Sequence, residues 1–326
     1  MLVNRRCVVP GIGLAIAVML AACTSASGPQ GPATVGAPNS APAPTATTTL
    51  PTNLAVTRVT ETFVDGSRRT DDPEHARSAA TRTFETDIYI PAGNGPYPLI
   101  LHAHGSGGDP RKFTEIAKAW AQHGYVVAVP TFPLTSDTSG GSSVIGDYVS
   151  QPADLHFVLD QVLSLTTAPN TALTGKVDQQ HIGLSGLSLG GATAYGLAFN
   201  TCCRDPRVTA VVIMSGIRLA FGNHGDVFDK PILIFHGTDD PVIAYSTAGP
   251  AYASAAAPKY FVTLIGAGHA PPYEDTPDPH DGIVTTVTLD FWDAYLKAQD
   301  TSRTDLLADA NQPPLSTLQS APQNAG

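Results

Sequence analysis

The sequence is short of charge. Only 14% of its 326 residues are charged, and the acids outnumber the bases by 28 to 18. An acidic chain repels phosphate backbones, so nucleic acid is not an expected partner. Cysteine is scarcer still, with four residues. No cluster of residues has metal-ligand spacing, so no metal and no other cofactor is expected. No internal repeat divides the chain. No glycine-rich loop is followed by the Lys-Ser or Lys-Thr pair of a phosphate cradle. The apolar run from Val8 to Ala22 is too short for a comfortable membrane span. Against these absences stands a hydrophobic content of 42%, ample for a buried core. The length suits one large α/β domain with additional segments.

The N-terminal run follows Arg5 and Arg6, the order of a signal peptide. It ends Leu20-Ala21-Ala22-Cys23, which resembles the lipobox of bacterial lipoproteins. The resemblance implies cleavage before Cys23 and acylation of its thiol. Several acyl chains on Cys23 would anchor stably where one alone is marginal. The alternative is an ordinary secreted protein cut at a small-residue site. Cleavage removes Arg5 and Arg6 and no acid, so the net charge goes from −10 to −12. Residues 24–53 are uncharged and rich in Ala, Pro, Thr, Ser and Gly, and such a stretch cannot bury a core. The expected organisation is a signal peptide at 1–22, a disordered tether at 23–53, a folded domain at 54–300 and a loose C-terminal tail at 301–326. The expected location is the cell envelope, anchored by Cys23 to the outer face of the bacterial cytoplasmic membrane. Export permits a disulfide between Cys202 and Cys203. Neighbouring Cα atoms lie only ~3.8 Å apart, which would strain it, so two quiet thiols are the other reading.

From about Val56 the pattern changes. Alternating β-branched and aromatic residues mark strands at 57–64 and 83–90. Pro98 to His104 is a continuous apolar run, as for a strand buried on both faces. Further strands are expected at 125–129, 181–184, 208–214, 232–235 and 261–265. Helices are expected at 113–123, from Pro152 onward, at 189–199 and at 283–297. Alternating strands and helices over roughly 200 residues indicate a parallel, doubly wound α/β sheet with helices on both faces.

Gly186-Leu187-Ser188-Leu189-Gly190 falls between a strand and a helix. This is the setting of a nucleophile elbow, where a sharp turn lifts the Ser hydroxyl above the sheet edge. Ser185 lacks the second glycine two residues on. His104-Gly105-Ser106-Gly107-Gly108 follows an earlier strand. The Ser106 and Leu189 N–H groups are the expected oxyanion hole. Chain order then requires an acid and a His. Asp239 and Asp240 both follow the strand at 232–235. His269, between Gly268 and Ala270, follows the strand at 261–265 and is the expected base. His102 and His104 read as strand or loop residues, His236 as a turn residue, and His280 lacks a strand end to hold it.

Together Pro98 to Gly108, Gly124 to Pro130, the elbow, His236 to Val242 and Gly266 to His269 resemble the α/β-hydrolase superfamily over about 56–300. The branch they resemble holds platelet-activating-factor acetylhydrolase-like, chlorophyllase-like and cutinase-like polyesterases, beside dienelactone hydrolases. The resemblance implies an α/β-hydrolase fold and ester hydrolysis through an acyl-enzyme. It also selects Asp240, the Asp directly before Pro241, as the acid. Two residues depart from it: Leu187, where many relatives carry His, and Ser106, where polyesterases often carry an aromatic. Dienelactone hydrolases typically use Cys where this chain has Ser188. The 215–230 connection is too short for a large lid, with Phe221 and Phe228 as a small apolar wall. The Gly- and Ser-rich 131–149 segment is expected as a mobile rim. The expected activity is a serine carboxylesterase acting on small or accessible esters, small-molecule or lipid, rather than on long-chain triglycerides. The alternatives are a polyester-degrading or dienelactone-hydrolase-like enzyme, or a non-catalytic envelope lipoprotein that uses the fold for binding.

Overall fold

A computed structural model describes residues 53–321. The expected signal peptide, the expected lipidation site Cys23 and nearly all of the expected 23–53 tether lie outside the described residues. No described helix is long and apolar enough to cross a membrane.

Nine strands form one sheet: β1 (Val56–Asp65), β2 (Arg82–Pro91), β3 (Tyr97–Ala103), β4 (Val126–Pro130), β5 (Val177–Leu187), β6 (Val208–Met214), β7 (Ile232–Gly237), β8 (Lys259–Leu264) and β9 (Ser316–Ala321). The order across the sheet is β1-β2-β4-β3-β5-β6-β7-β8-β9. The six strands from β4 to β8 run parallel, and β2 and β9 pair antiparallel at the two ends of that run. The run Tyr97–Ala103 is buried throughout because both faces are covered. Leu99 and Leu101 point to one face, and Ile100 between them to the other.

The first face is covered by α2 (Gln151–Thr167), α3 (Leu189–Phe199) and α4 (Ala248–Ser254). The second is covered by α1 (Thr114–Gln122), α5 (Asp281–Leu296) and α6 (Asp300–Asp309). All eleven residues of α3 are buried. Its glycines and alanines let it pack closely on the sheet and against α2, which lies beside it on the same face. In α1 the 3.6-residue period selects Ile116, Ala117, Trp120 and Ala121 as the buried stripe.

The tail expected at 301–326 is not loose over its described part. Residues 300–309 form α6, whose Leu306 is fully buried, and Ser316–Ala321 form β9 along β8. An edge strand needs only a backbone partner, so its polar side chains hid it. Cys202 and Cys203 are disulfide-bonded, with Cα atoms 3.8 Å apart; the reading as two free thiols does not hold. Phe221 and Phe228 are buried as well. Phe228 packs at a tilt on Phe199 of α3 at 4.7 Å and Phe221 packs against Tyr148 of the rim at 5.4 Å, so they fasten a loop to α3 and the rim.

The 131–149 rim is tied down at several points. Gln151, buried at the start of α2, bonds Thr135 on the rim and Thr193 on α3. Arg77 holds Ser139 Oγ and the Ser142 carbonyl. The buried Arg82 guanidinium forks onto Asp147 and also binds Asp154 of α2.

Candidate active site

The parallel strands all end at one edge, and the connections leaving β3, β5, β6, β7 and β8 meet there. At the end of β5 the chain turns sharply into α3. Ser188 sits at the turn with φ 57° and ψ −117°, a region L residues avoid. Holding it there costs on the order of 1–3 kcal/mol, which the surrounding packing must offset. The crowding shows why glycines flank it. A Cβ on Gly190 would lie 2.0 Å from the Ala103 carbonyl oxygen, and one on Gly186 would lie 2.2 Å from that of Gly190. Ser188 is half-buried at the N-terminus of α3, where partial positive charge favours an anion. Its N–H donates to the Met214 carbonyl at 2.9 Å, tying the elbow to β6.

The β3 connection wraps toward this serine. Gly105 approaches so closely that a Cβ there would be 3.0 Å from Ser188 Cβ. Phe132 N–H donates to His104 Nε2 at 3.0 Å, so the His104 proton resides on Nδ1, which donates to the Gly105 carbonyl at 2.7 Å. Burial pushes the His104 pKa down to about 4, so this strut is neutral. Gly107 N–H and its carbonyl are held by Thr135 O and Lys112 Nζ, each at 2.7 Å. Among the described residues, neither the Ser106 N–H nor the Leu189 N–H has a protein acceptor. The exposed Ser106 side chain donates to Ser143 Oγ at 2.7 Å, joining the loop to the rim.

The acid and the imidazole meet at the ends of β7 and β8. Asp240 Oδ2 lies 2.7 Å from His269 Nδ1, and Oδ1 accepts the Val242 and Ile243 N–H groups, both at 2.8 Å. Burial raises the Asp240 pKa. The His269 hydrogen bond and the two backbone N–H groups outweigh burial and hold it below the ordinary carboxylate range. Asp239 is exposed and turns to Thr238. The two connections are zipped together through Thr238 N–H to Leu264 O and Asp239 N–H to Ala267 O. A Cβ on Gly237 would lie 2.3 Å from the Ala267 oxygen, so glycine is required where they touch.

His269 leaves β8, three strands from Ser188 on β5. Strands are ~4.8 Å apart, so its connection must lean back across the edge. It does: Tyr273 OH reaches Ser215 Oγ at the end of β6, at 3.1 Å. Asp275 further on accepts the Thr114 and Glu115 N–H groups at the start of α1. Among the described residues Ser188 Oγ makes no hydrogen bond, so the structure joins Asp240 to His269 but does not join His269 to Ser188. A cavity of about 430 Å³ lies beside this connection, between α1 and α5; neither Ser188 nor His269 lines it.

With this geometry in view, the chain matches the family model described as Chlorophyllase over residues 58–218. The chain belongs to the α/β-hydrolase superfamily. The matched span holds the Gly-rich connection after β3 and the turn at Ser188, and ends before Asp240 and His269. A chlorophyllase-like hydrolase of this superfamily acts on esters. No curated protein matches the chain.

Three features escaped the sequence. His236, read as a turn residue, is fully buried with Nε2 3.3 Å from Asp240 Oδ2. His280, read as unsupported, is buried at the start of α5 and contacts Asp278 and the Ile265 carbonyl. Ser185 forms a Ser–His pair, with His102 Nδ1 2.8 Å from its Oγ, sealed beneath Phe113 and Trp120. The β3–β5 register that pairs His102 with Ser185 is a tertiary fact with no local signal.

Proposed function

We propose that this hydrolase is a serine carboxylesterase that works through an acyl-enzyme on Ser188. His269 takes the hydroxyl proton as Ser188 attacks the ester carbonyl, then delivers it to the departing alkoxide. Asp240 orients the imidazole and stabilises it when charged. The Ser106 and Leu189 N–H groups receive the oxyanion of the tetrahedral intermediate. Water, deprotonated by His269, then releases the acid. The supporting observation is the Asp240–His269 pair, its carboxylate locked by two backbone N–H groups, at the same sheet edge as the strained Ser188 elbow. Hydrogen bonds between base and nucleophile commonly tighten only with substrate bound. Ser188 rather than Cys speaks against dienelactone chemistry, and the exposed polar Ser106 speaks for small or accessible esters over a polymer surface.

The test is hydrolysis of p-nitrophenyl acetate and butyrate by the full-length protein. Ser188→Ala and Asp240→Asn should each lose at least about 10³-fold in kcat, while Asp239→Asn keeps most activity. Equal rates for wild type and Ser188→Ala overturn the assignment, and a reversed result for the two Asp variants overturns the choice of acid.

The site is proposed to work in the cell envelope, exported and anchored by acyl chains on Cys23. The Leu20-Ala21-Ala22-Cys23 sequence supports this. Cys23→Ala should move the protein from the membrane to the soluble fraction, and unchanged fractionation refutes lipidation.

A further inference from the structure

We propose that His236 is a positioning residue for Asp240: it shares its Nε2–H between the Asp240 carboxylate and the Ile243 carbonyl, and so holds that carboxylate toward His269. The inference rests on the hydrolase reading above.

The His236 ring is fully buried at the end of β7. Its Nε2 lies 2.9 Å from the Ile243 oxygen and 3.3 Å from Asp240 Oδ2. Both neighbours are acceptors, so the proton belongs on Nε2. Nδ1 is buried and has no partner among the described residues. A proton there would be a buried donor with nothing to receive it, which fixes the neutral Nε2–H tautomer. The groups that face the ring agree with this. They are Asp240 on its own connection, His269 from the β8 connection, and the Tyr245 ring edge-on at 6.0 Å. Burial lowers the His236 pKa, and only partly do the Ile243 carbonyl and Asp240 oppose it.

The consequence is a filled acceptor set. A carboxylate offers about four lone-pair sites. Two on Asp240 Oδ1 go to Val242 and Ile243, one on Oδ2 goes to His269, and His236 faces the fourth. His236 also grips the carbonyl of Ile243, whose N–H holds the other oxygen. One ring therefore closes the acid turn from both sides. Without it, Oδ1 stays held by the turn but Oδ2 keeps a single donor, and its direction toward His269 is less firmly set.

Two full-length variants and one spectrum test this. His236→Phe keeps a ring and removes the donor, and His236→Gln replaces the N–H near the same place. The Phe variant should lose about 10- to 100-fold in kcat for p-nitrophenyl butyrate, the usual effect of losing an orienting partner, with KM within about twofold. Its acid limb in kcat/KM should rise by about half a pH unit, because a carboxylate with fewer donors holds the His269 proton more tightly. The Gln variant should recover to within about fivefold of wild type. Wild-type rate and acid limb in the Phe variant overturn the proposal, and so does a Gln variant as impaired as Phe, which would make the ring mere packing. Long-range ¹H–¹⁵N spectra of the wild type at pH 7, with the His236 signals assigned by their loss in His236→Gln, should show the Nε2–H tautomer. An Nδ1–H or charged ring overturns the proposal even if the Phe variant fails to fold. Hydrolysis that survives Ser188→Ala, or no hydrolysis by wild type, instead sinks the hydrolase reading, and the spectrum still decides the state of His236.

Discussion

At the residue scale, Ser185 and Ser188 stand three residues apart, and burial separates them. Ser185 and His102 are fully buried, so their hydrogen bond serves as a strand-to-strand tie. Ser188 is half-buried at the turn into α3. Burial pushes the His102 pKa down to about 3 and that of His104 to about 4. Both are neutral in the fold at pH values where an unfolded histidine, near pKa 6.5, is already charged. The unfolded state therefore binds more protons between about pH 6.5 and those values, and stability falls as the pH drops through that window. Thermal unfolding followed from pH 7 to 4.5 should show this loss. His102→Asn, which offers Ser185 an amide but cannot titrate, should give a shallower slope; an unchanged slope shows that His102 is not a source of the dependence. The places of Ser188, Asp240 and His269 after strand ends were legible in the sequence because each carries its own glycine or proline signature. His236 and His102 were not, because what matters about them is a partner across the sheet or across a turn.

At the element scale, one of the ties that hold the rim is a buried charge. Arg82 on β2 is 2% exposed and binds Asp147 on the rim and Asp154 on α2. Arg68 also reaches Asp154, at 2.7 Å. Arg82→Ala would leave Asp147 unpaired in a buried place while Arg68 still serves Asp154. The expected cost is about 3 kcal/mol, the low end for breaking a buried pair, read as a lower denaturant midpoint. Because Ser106 is tied to Ser143 on the same rim, hydrolysis should fall as well. A stable, fully active variant contradicts the role given to this clasp. The elements missed in the sequence share a physical cause. α4 is a short Ala-rich helix with little apolar period, and β9 is a polar edge strand after two prolines. Each is ordered by what it docks on. Parallel strands such as β3, β4 and β6, in contrast, are almost wholly buried and carry apolar runs of their own.

At the scale of the whole molecule, the sheet order makes the proposed site. Ser188, Asp240 and His269 are 52 and 29 residues apart in sequence, yet the connections that carry them leave the same edge. Each depends on a different strand, and the His269 connection must also cross β7 to fasten on Ser215 beside the elbow. Such a site does its chemistry as one unit, since a base without its nucleophile has no proton to take. Effects on activity should then fail to add. Ser188→Ala and His269→Ala should each lower kcat by a similar large factor, and the double variant should be no worse than either alone. Rates of p-nitrophenyl butyrate hydrolysis for the four proteins, measured with one enzyme preparation protocol, decide this. If the double variant instead loses the product of the two single factors, Ser188 and His269 act independently, and the proton transfer proposed between them does not occur.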